Sequence, residues 1–171
     1  MSNVILTTPR TLISEISTND APFLLELFNS PGWIEYIGDR NLNTLSEMET
    51  YVNDFFVSGY KQNGFGYYLI SSLNRENIGI AGFLKKPYLD NEDYGFAIMP
   101  SFHQSGFGYE VGQALIKYGL EEFDFRVLDA VTKQSNIASQ KLLEKLGFES
   151  IGEIKLPDKT EKDSLYRWHE D

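Results

Sequence analysis

Residues 93–114 read DYGFAIMPSFHQSGFGYEVGQA, and the parsing of this stretch decides the fold. Its opening alternates as an extended chain does, with Asp93, Gly95 and Ala97 on one face and Tyr94, Phe96 and Ile98 on the other. Pro100 closes the strand, because proline has no N–H to give to a ladder. The loop His103-Gln104-Ser105-Gly106-Phe107-Gly108 follows, and beyond it Val111, Ala114, Leu115 and Tyr118 fall at i, i+3, i+4 and i+7, one face of a helix. Strand, glycine loop, helix is the order in which phosphate sites are built. The first N–H groups of a helix lack internal partners, the macrodipole adds partial positive charge there, and glycines let an anion come close. An ordinary tight turn can also read Gly-x-Gly, so the flanking pattern has to decide.

Upstream, residues 65–72, 78–85 and 93–99 are short aromatic and β-branched runs separated by Asn, Gly and Pro, which predicts an antiparallel meander. Before it, residues 11–17 (TLISEIS) alternate as a half-buried strand, Thr18-Asn19-Asp20 offers helix-capping chemistry, and a helix is expected over 21–28. Ser30-Pro31-Gly32 breaks that helix. After an irregular stretch, helical spacing resumes over 44–60 through Met48, Tyr51, Val52, Phe55 and Phe56, with Thr44 or Ser46 as cap. Downstream, 126–132 reads as a strand, 135–146 as a helix stopping at Gly147, and 148–155 and 164–169 as strands flanking a polar turn. The order β-α-α-β-β-β-α-β-α-β-β is an α+β plan, a central and mostly antiparallel sheet with one β-α-β crossover and four main helices. No repeat or linker divides the chain, so residues 1–171 are expected to form a single domain. A dinucleotide-binding fold fits poorly, since a meander precedes the glycine turn, and a Walker loop is excluded because no Gly-Lys-Ser/Thr follows.

Composition narrows the chemistry. A chain of 171 residues that is 42% hydrophobic and 14% aromatic can bury a sizeable core and is too apolar to stay disordered. With no Cys, and with His103 and His169 as the two histidines, there is no thiolate zinc site, disulfide framework, catalytic cysteine or histidine cluster. No metal is expected, a carboxylate-only Mg or Ca site staying formally open. The 25 acidic against 15 basic residues give −10, which repels phosphodiester backbones, so nucleic acid is not an expected partner. That charge suits a cationic partner or a plain solubility surface equally well. No run approaches the ~20 apolar residues of a membrane span, and MSNVILTTPR lacks a basic region followed by an apolar run. A cytoplasmic chain without membrane contact is expected.

With these residues in view, the sequence resembles the GNAT-type N-acetyltransferases, in particular the branch of the ribosomal-protein N-terminal (alanine/serine) acetyltransferases, along nearly its whole length. The opening LTTPRTLISEISTND is similar to that branch's start, a Thr-x-Arg segment leading through the first strand to an Asp at the first helix, with Glu15 where a basic residue is usual. His103 to Gly108 lies on the family's Arg/Gln-x-x-Gly-x-Gly/Ala loop, Gly106 and Gly108 taking the small positions, Glu110 a glutamate common in the branch, and His103 departing from Arg or Gln. The run Ser135-Asn136-Ile137-Ala138-Ser139 through Leu146-Gly147-Phe148 resembles the family's Asn-x-x-Ser … Leu-Gly-Phe helix. The resemblance implies acetyl-CoA as cosubstrate. It implies that backbone groups of His103, Gln104, Ser105, Gly106, Phe107 and Gly108 grip the pyrophosphate, that Phe96, Ala97 and Ile98 run beside the pantetheine arm, and that Asn136 bonds near it. A plain helix cap is the simpler role for Asn136, compatible with the other.

Amine acetylation needs a neutral amine, a donor for the oxyanion and a proton for the departing thiolate, whose conjugate acid has a pKa near ~8.5 if it behaves as a simple thiol. Many relatives place a Tyr on the last helix where this chain has Leu143. The resemblance points instead to Ser139, one turn earlier on the same face, as a hydrogen-bonding relay to the sulfur. Asp93 is the leading carboxylate for the base, since alternation aims it with Gly95 and Ala97; Glu92 and Glu35 are runners-up, and a water chain without a dedicated base is a further option. Trp33, Tyr36, Tyr60, Phe65 and Tyr67 fall in segments that by resemblance border the acceptor cleft, with most expected in the core. The expected activity is direct transfer to a primary amine, with no covalent enzyme intermediate. The acceptor is a peptide or protein N-terminus by resemblance, or a small amine such as a polyamine or aminoglycoside. A CoA-binding module without catalysis is the alternative from another class. The branch often dimerises, so a homodimer belongs among the expectations.

Overall fold

In the computed structural model, which describes residues 3–171, eight strands bond into one sheet. They are β1 (Val4–Thr7), β2 (Thr11–Glu15), β3 (Tyr67–Ser72), β4 (Asn77–Leu84), β5 (Glu92–Ile98), β6 (Val127–Thr132), β7 (Glu149–Lys155) and β8 (Lys162–His169), in the spatial order β1-β2-β3-β4-β5-β6-β8-β7. Every neighbouring pair is antiparallel except β5 and β6, which are parallel and joined through a helix. The helices are α1 (Ala21–Phe28), α2 (Pro31–Tyr36), α3 (Leu45–Tyr51), α4 (Ser58–Asn63), α5 (Phe107–Phe123) and α6 (Ile137–Lys145).

Strand alternation divides the apolar residues between two cores. On β3, Leu69 turns to one face and meets Leu24, Leu27, Met48, Val52 and Phe56 of the first helices, while Ile70 turns to the other, shared with Val111 and Leu115 of α5, Leu143 of α6 and Leu146, which caps α6. The sheet is thus covered by α1–α4 on one side and by α5 and α6 on the other. Gly112 lets α5 approach α6, since a Cβ there would stand 2.7 Å from a Leu146 methyl.

Three elements differ from the sequence-based expectation. β1 adds a strand within residues assigned no element; its hairpin to β2 is tied by Thr8 N–H to Thr11 O at 2.9 Å, and so short a run carries too little periodicity to read. Ser30-Pro31 begins α2 as well as ending α1, because proline at the first position of a helix forfeits only an N–H that would have no partner. The helix expected over 44–60 is continuous but passes through a π-helical stretch, Val52–Val57, between α3 and α4. Its start is the Thr44 cap: Glu47 N–H donates to Thr44 Oγ1 at 3.2 Å and the Glu47 carboxylate accepts the Thr44 N–H at 2.9 Å.

The feature that positions the site is a parting of strands. β5 and β6 pair only at Glu92↔Leu128 and Asp93↔Asp129, yet both run on. β5 stays bonded to β4 as far as Ile98↔Gly79, and β6 to β8 as far as Thr132↔Ser164. Beyond Asp93 the central sheet therefore opens into a notch whose facing edges carry backbone groups without ladder partners.

Candidate active site

Because β5 and β6 are parallel, the segments that follow them emerge at the same end of the notch, the place where open sheets with crossovers bind their ligands. After β5 comes a tight turn, Pro100–Phe102, and then the glycine loop. Gln104 and Gly106 adopt left-handed backbone angles, φ 58° and 81°, and Gly106 caps α5. A 17-residue helix thus points its unpaired first N–H groups at the notch. The His103 ring is used within the chain: its Nε2 donates to Ile98 O at 2.7 Å, folding the loop back onto the strand that it leaves. Of the loop residues singled out in the sequence, Gly106 serves the turn, whereas Gly108 serves helix packing, since a Cβ on it would sit 2.8 Å from Leu142 of α6.

The loop is braced from outside by Arg10, the residue before β2. The Arg10 guanidinium donates to Ser105 O at 2.9 Å, pairs with Glu110 through Nε at 2.7 Å, and lies 4.3 Å from the centre of the Phe107 ring. Thr8 Oγ1 and Arg10 N–H also donate to Glu110, at 2.6 and 2.9 Å. Burial pushes the Glu110 carboxyl up, but these bonds prevail and hold it below the usual carboxylate range. The Thr-x-Arg segment and Glu110, separate signals in the sequence, are one structural unit.

After β6, Asn136 caps α6 by accepting the Ser139 N–H at 3.2 Å. The capping role is therefore present, with the Asn136 amide group left available. Ser139 is half-buried on the first turn of α6, and Leu143, one turn on, is buried in the core. Between this loop and the β7–β8 hairpin lies an open cleft of about 460 Å³ that includes Lys133, Ser135 and Glu153.

At the base of the notch stand two aspartates side by side. Asp93 is 4% exposed and pairs with Lys86 Nζ at 3.0 Å; Asp129 is fully buried and takes Arg167 through Nε at 2.7 Å and Nη2 at 3.2 Å. Burial drives the Asp93 carboxyl above the ordinary carboxylate range, Lys86 opposing and Asp129 adding to the rise. Of the runners-up, Glu35 is exposed on α2, where its carbonyl accepts from Lys133 at 2.7 Å. Glu92 precedes Asp93 and so turns to the opposite face of the sheet.

The five aromatics separate clearly. Phe65 lies in the core against Phe83, Phe123 and Phe125, and Trp33 is buried in a stack on Phe28 with ring centres 3.9 Å apart. Tyr60 is a strut whose hydroxyl accepts Ile16 N–H at 2.9 Å and donates to Tyr67 O. Tyr36 is half-buried at the end of α2. Tyr67 lies across the sheet with its hydroxyl over Gly95: a Cβ on that glycine would stand 2.1 Å from the hydroxyl oxygen. Sequence reasoning missed this placement and the Lys86–Asp93 pair. Its one available signal was Gly95 itself, a glycine inside a strand, which marks the close approach of another group.

Known proteins are similar to this chain in sequence and in fold. The profile of the acetyltransferase (GNAT) domain family matches residues 10–149. The uncharacterized N-acetyltransferase YoaA of Bacillus subtilis is 26% identical over 153 residues, covering 88% of this chain and 86% of its own. The solved structure of RimL, a ribosomal L7/L12 α-N-protein acetyltransferase, superposes with a TM-score of 0.84 at 19% identity, over 99% of this chain and 96% of its own. An aminoglycoside acetyltransferase in complex with coenzyme A superposes at 0.76 with 20% identity, over 93% and 94%. At these identities the two structures speak for the fold.

Proposed function

The chain belongs to the GNAT acetyltransferases and is an acyl-CoA N-acyltransferase; from that premise we propose that it moves an acetyl group from acetyl-CoA directly to a primary amine, with a protein or peptide N-terminus as the favoured acceptor. The observation that carries this reading is the notch: two parallel strands that part after Asp93↔Asp129, with the amino end of α5 and the Asn136 cap at its mouth. Its backbone edges, free of ladder partners, suit an amide-bearing arm laid between the strands, and the loop with its left-handed residues suits a pyrophosphate, so the residues present fit coenzyme A. Acetyl-CoA supplies the acetyl group as a thioester. Backbone groups of Phe96, Ala97 and Ile98 would flank the pantetheine. The amides from His103 to Gly108 would hold the pyrophosphate while Arg10 keeps the loop in shape. The Asn136 amide would complete the far wall.

In this reading Ser139 passes a proton to the departing sulfur, since Leu143 offers none, and Asp93 takes the amine's proton. A carboxyl held above its usual range by burial is the better base near neutral pH. Among the described residues no helix is long and apolar enough to cross a membrane; the site of action proposed for the chain is the cytoplasm. Residues 1–171 form a single catalytic domain in this proposal, a reading supported by the one sheet that joins all eight strands of the described residues. The test is thiol release from acetyl-CoA across peptides beginning with Ser, Ala or Thr, polyamines, aminoglycosides and free amino acids. Acceptor-dependent release that falls in Ser139→Ala supports the proposal. Stabilisation by coenzyme A without release with any amine would replace it with a binding module.

A further inference from the structure

We propose that Tyr67 is a catalytic residue that receives the acceptor amine, an inference that rests on the acetyltransferase reading above. Tyr67 on β3 stands opposite Gly82 on β4, and Gly82 stands opposite Gly95 on β5. Two neighbouring residues without side chains leave a shallow trough across the sheet. The ring lies in it, reaching far enough that a Cβ on Gly95 would be 2.1 Å from the hydroxyl oxygen and 2.9 Å from Cζ. Gly95 is two residues beyond Asp93, the last residue of β5 that β6 pairs with, so it is the first position on that face past the parting of the strands. The hydroxyl therefore hangs over the open rung of the notch, on the side covered by α1–α4. The loop and the Asn136 cap belong to the helices of the opposite side. A thioester lying in the notch would meet its cofactor contacts from one face and Tyr67 and Asp93 from the other.

The hydroxyl is not committed elsewhere. Tyr60, the neighbouring strut, uses its own hydroxyl twice for backbone groups, whereas none of the hydrogen bonds among the described residues involves the Tyr67 hydroxyl. Burial first, and the charge of Asp93 second, keep it protonated far above pH 10, so it meets an amine as a neutral hydroxyl that can accept an N–H. In the step we assign to it, the Tyr67 oxygen accepts one N–H of the neutral amine and so turns the nitrogen lone pair toward the thioester carbon. The C–N bond forms and the C–S bond breaks. A second amine proton passes to Asp93, which later yields it to solvent, and the sulfur receives its proton through Ser139, whose hydroxyl is resupplied from solvent water.

Tyr67→Phe removes the oxygen and keeps the ring in the trough. Expected is a fall of about 10- to 100-fold in kcat/KM for the amine, the range for a lost hydrogen bond at a polarised group, with coenzyme A affinity by calorimetry and the melting temperature unchanged. A variant with wild-type kcat/KM overturns the proposal. So does a fall matched by an equal loss of coenzyme A affinity, which would make the hydroxyl a cofactor contact. If the wild-type protein releases no thiol with any amine, the acetyl-transfer reading itself fails, and this outcome is distinct because it precedes any comparison with the variant.

Discussion

Gly95→Ala would place a methyl carbon 2.1 Å from the Tyr67 hydroxyl oxygen, 2.9 Å from Cζ and 3.2 Å from Cε1. Non-bonded atoms settle at about 3.5 Å, so the hydroxyl end must retreat by roughly 1.4 Å. The backbone of Tyr67 cannot follow, since it is paired with Gly82 of β4 on one side and its carbonyl is held by the Tyr60 hydroxyl on the other. The ring must swing off the sheet into side chains already packed above it, which costs about 1–3 kcal/mol, as overpacking does elsewhere. For a chain of this length each kcal/mol lowers the melting temperature by about 2–4 °C, so a drop of about 2–12 °C is expected. In a Tyr67→Ala background the obstruction is gone, and the same change should be neutral or stabilising by up to about 1 kcal/mol, because glycine in a strand interior carries excess backbone freedom. A double-mutant cycle by urea denaturation should therefore show a coupling of about 1–3 kcal/mol. Equal destabilisation in both backgrounds would mean that the hydroxyl does not lie over Gly95.

Arg10→Ala should weaken coenzyme A binding measured by calorimetry while lowering stability by less than about 1 kcal/mol, because the ion pair is half-exposed and its chief work is bracing Ser105 and Phe107. Lys86→Met leaves the Asp93 carboxylate buried without its cation, so its pKa, already raised, climbs further. A group with a folded pKa above its unfolded value stabilises the protein below the unfolded pKa and loses that contribution as pH rises. Denaturation should accordingly find this variant weaker relative to wild type at pH 8 than at pH 5, by up to about 3 kcal/mol, and the acid limb of kcat/KM should move to higher pH. Burial raises the phenols of Tyr60, Tyr67, Tyr68 and Tyr94 above their ordinary value. By the same sign rule their contribution is intact below pH ~10 and is lost above it. The share of the tyrosinate absorbance that belongs to these four should therefore appear together with the loss of circular dichroism on alkaline titration, not before it.

The meander, the crossover and the two last helices were legible because period 2 and period 3.6 are written in their apolar residues, and because Gly147 and Thr44 mark helix ends. The glycine loop was legible for the same local reason. What escaped depends on distance across the sheet. Nothing near Lys86 in sequence announces that its ammonium meets Asp93, and nothing near Tyr67 says that the residues opposite on the next two strands are glycines. Asp129, buried beside Asp93, reads locally as one polar residue in an apolar strand; only the parallel register of β5 and β6 shows it to be the other half of the notch's base. His103 was open to misreading for the opposite reason. Its position in the loop suggests a ligand contact, while its ring is used on Ile98 O.

The net charge of −10 argues for a polycationic acceptor only if the acceptor feels it in the cleft. Three carboxylates around the notch come with their own cations: Asp93 with Lys86, Asp129 with Arg167, and Glu110 with Arg10. Paired charges cancel within a few ångströms, and excess acidity carried on exposed positions is screened over about 8 Å at physiological salt. What the site presents beside the thioester is then one neutral hydroxyl, Tyr67, and one carboxylate whose charge is largely offset. Such a set suits a single amine, oriented by hydrogen bonding, better than a chain of ammonium groups, which requires unpaired carboxylates spaced along the cleft. On the reading proposed, the acidic surface serves solubility, and selection of the acceptor falls to the groups that the notch presents on the α1–α4 side. That is the ground for favouring a peptide N-terminus over a polyamine.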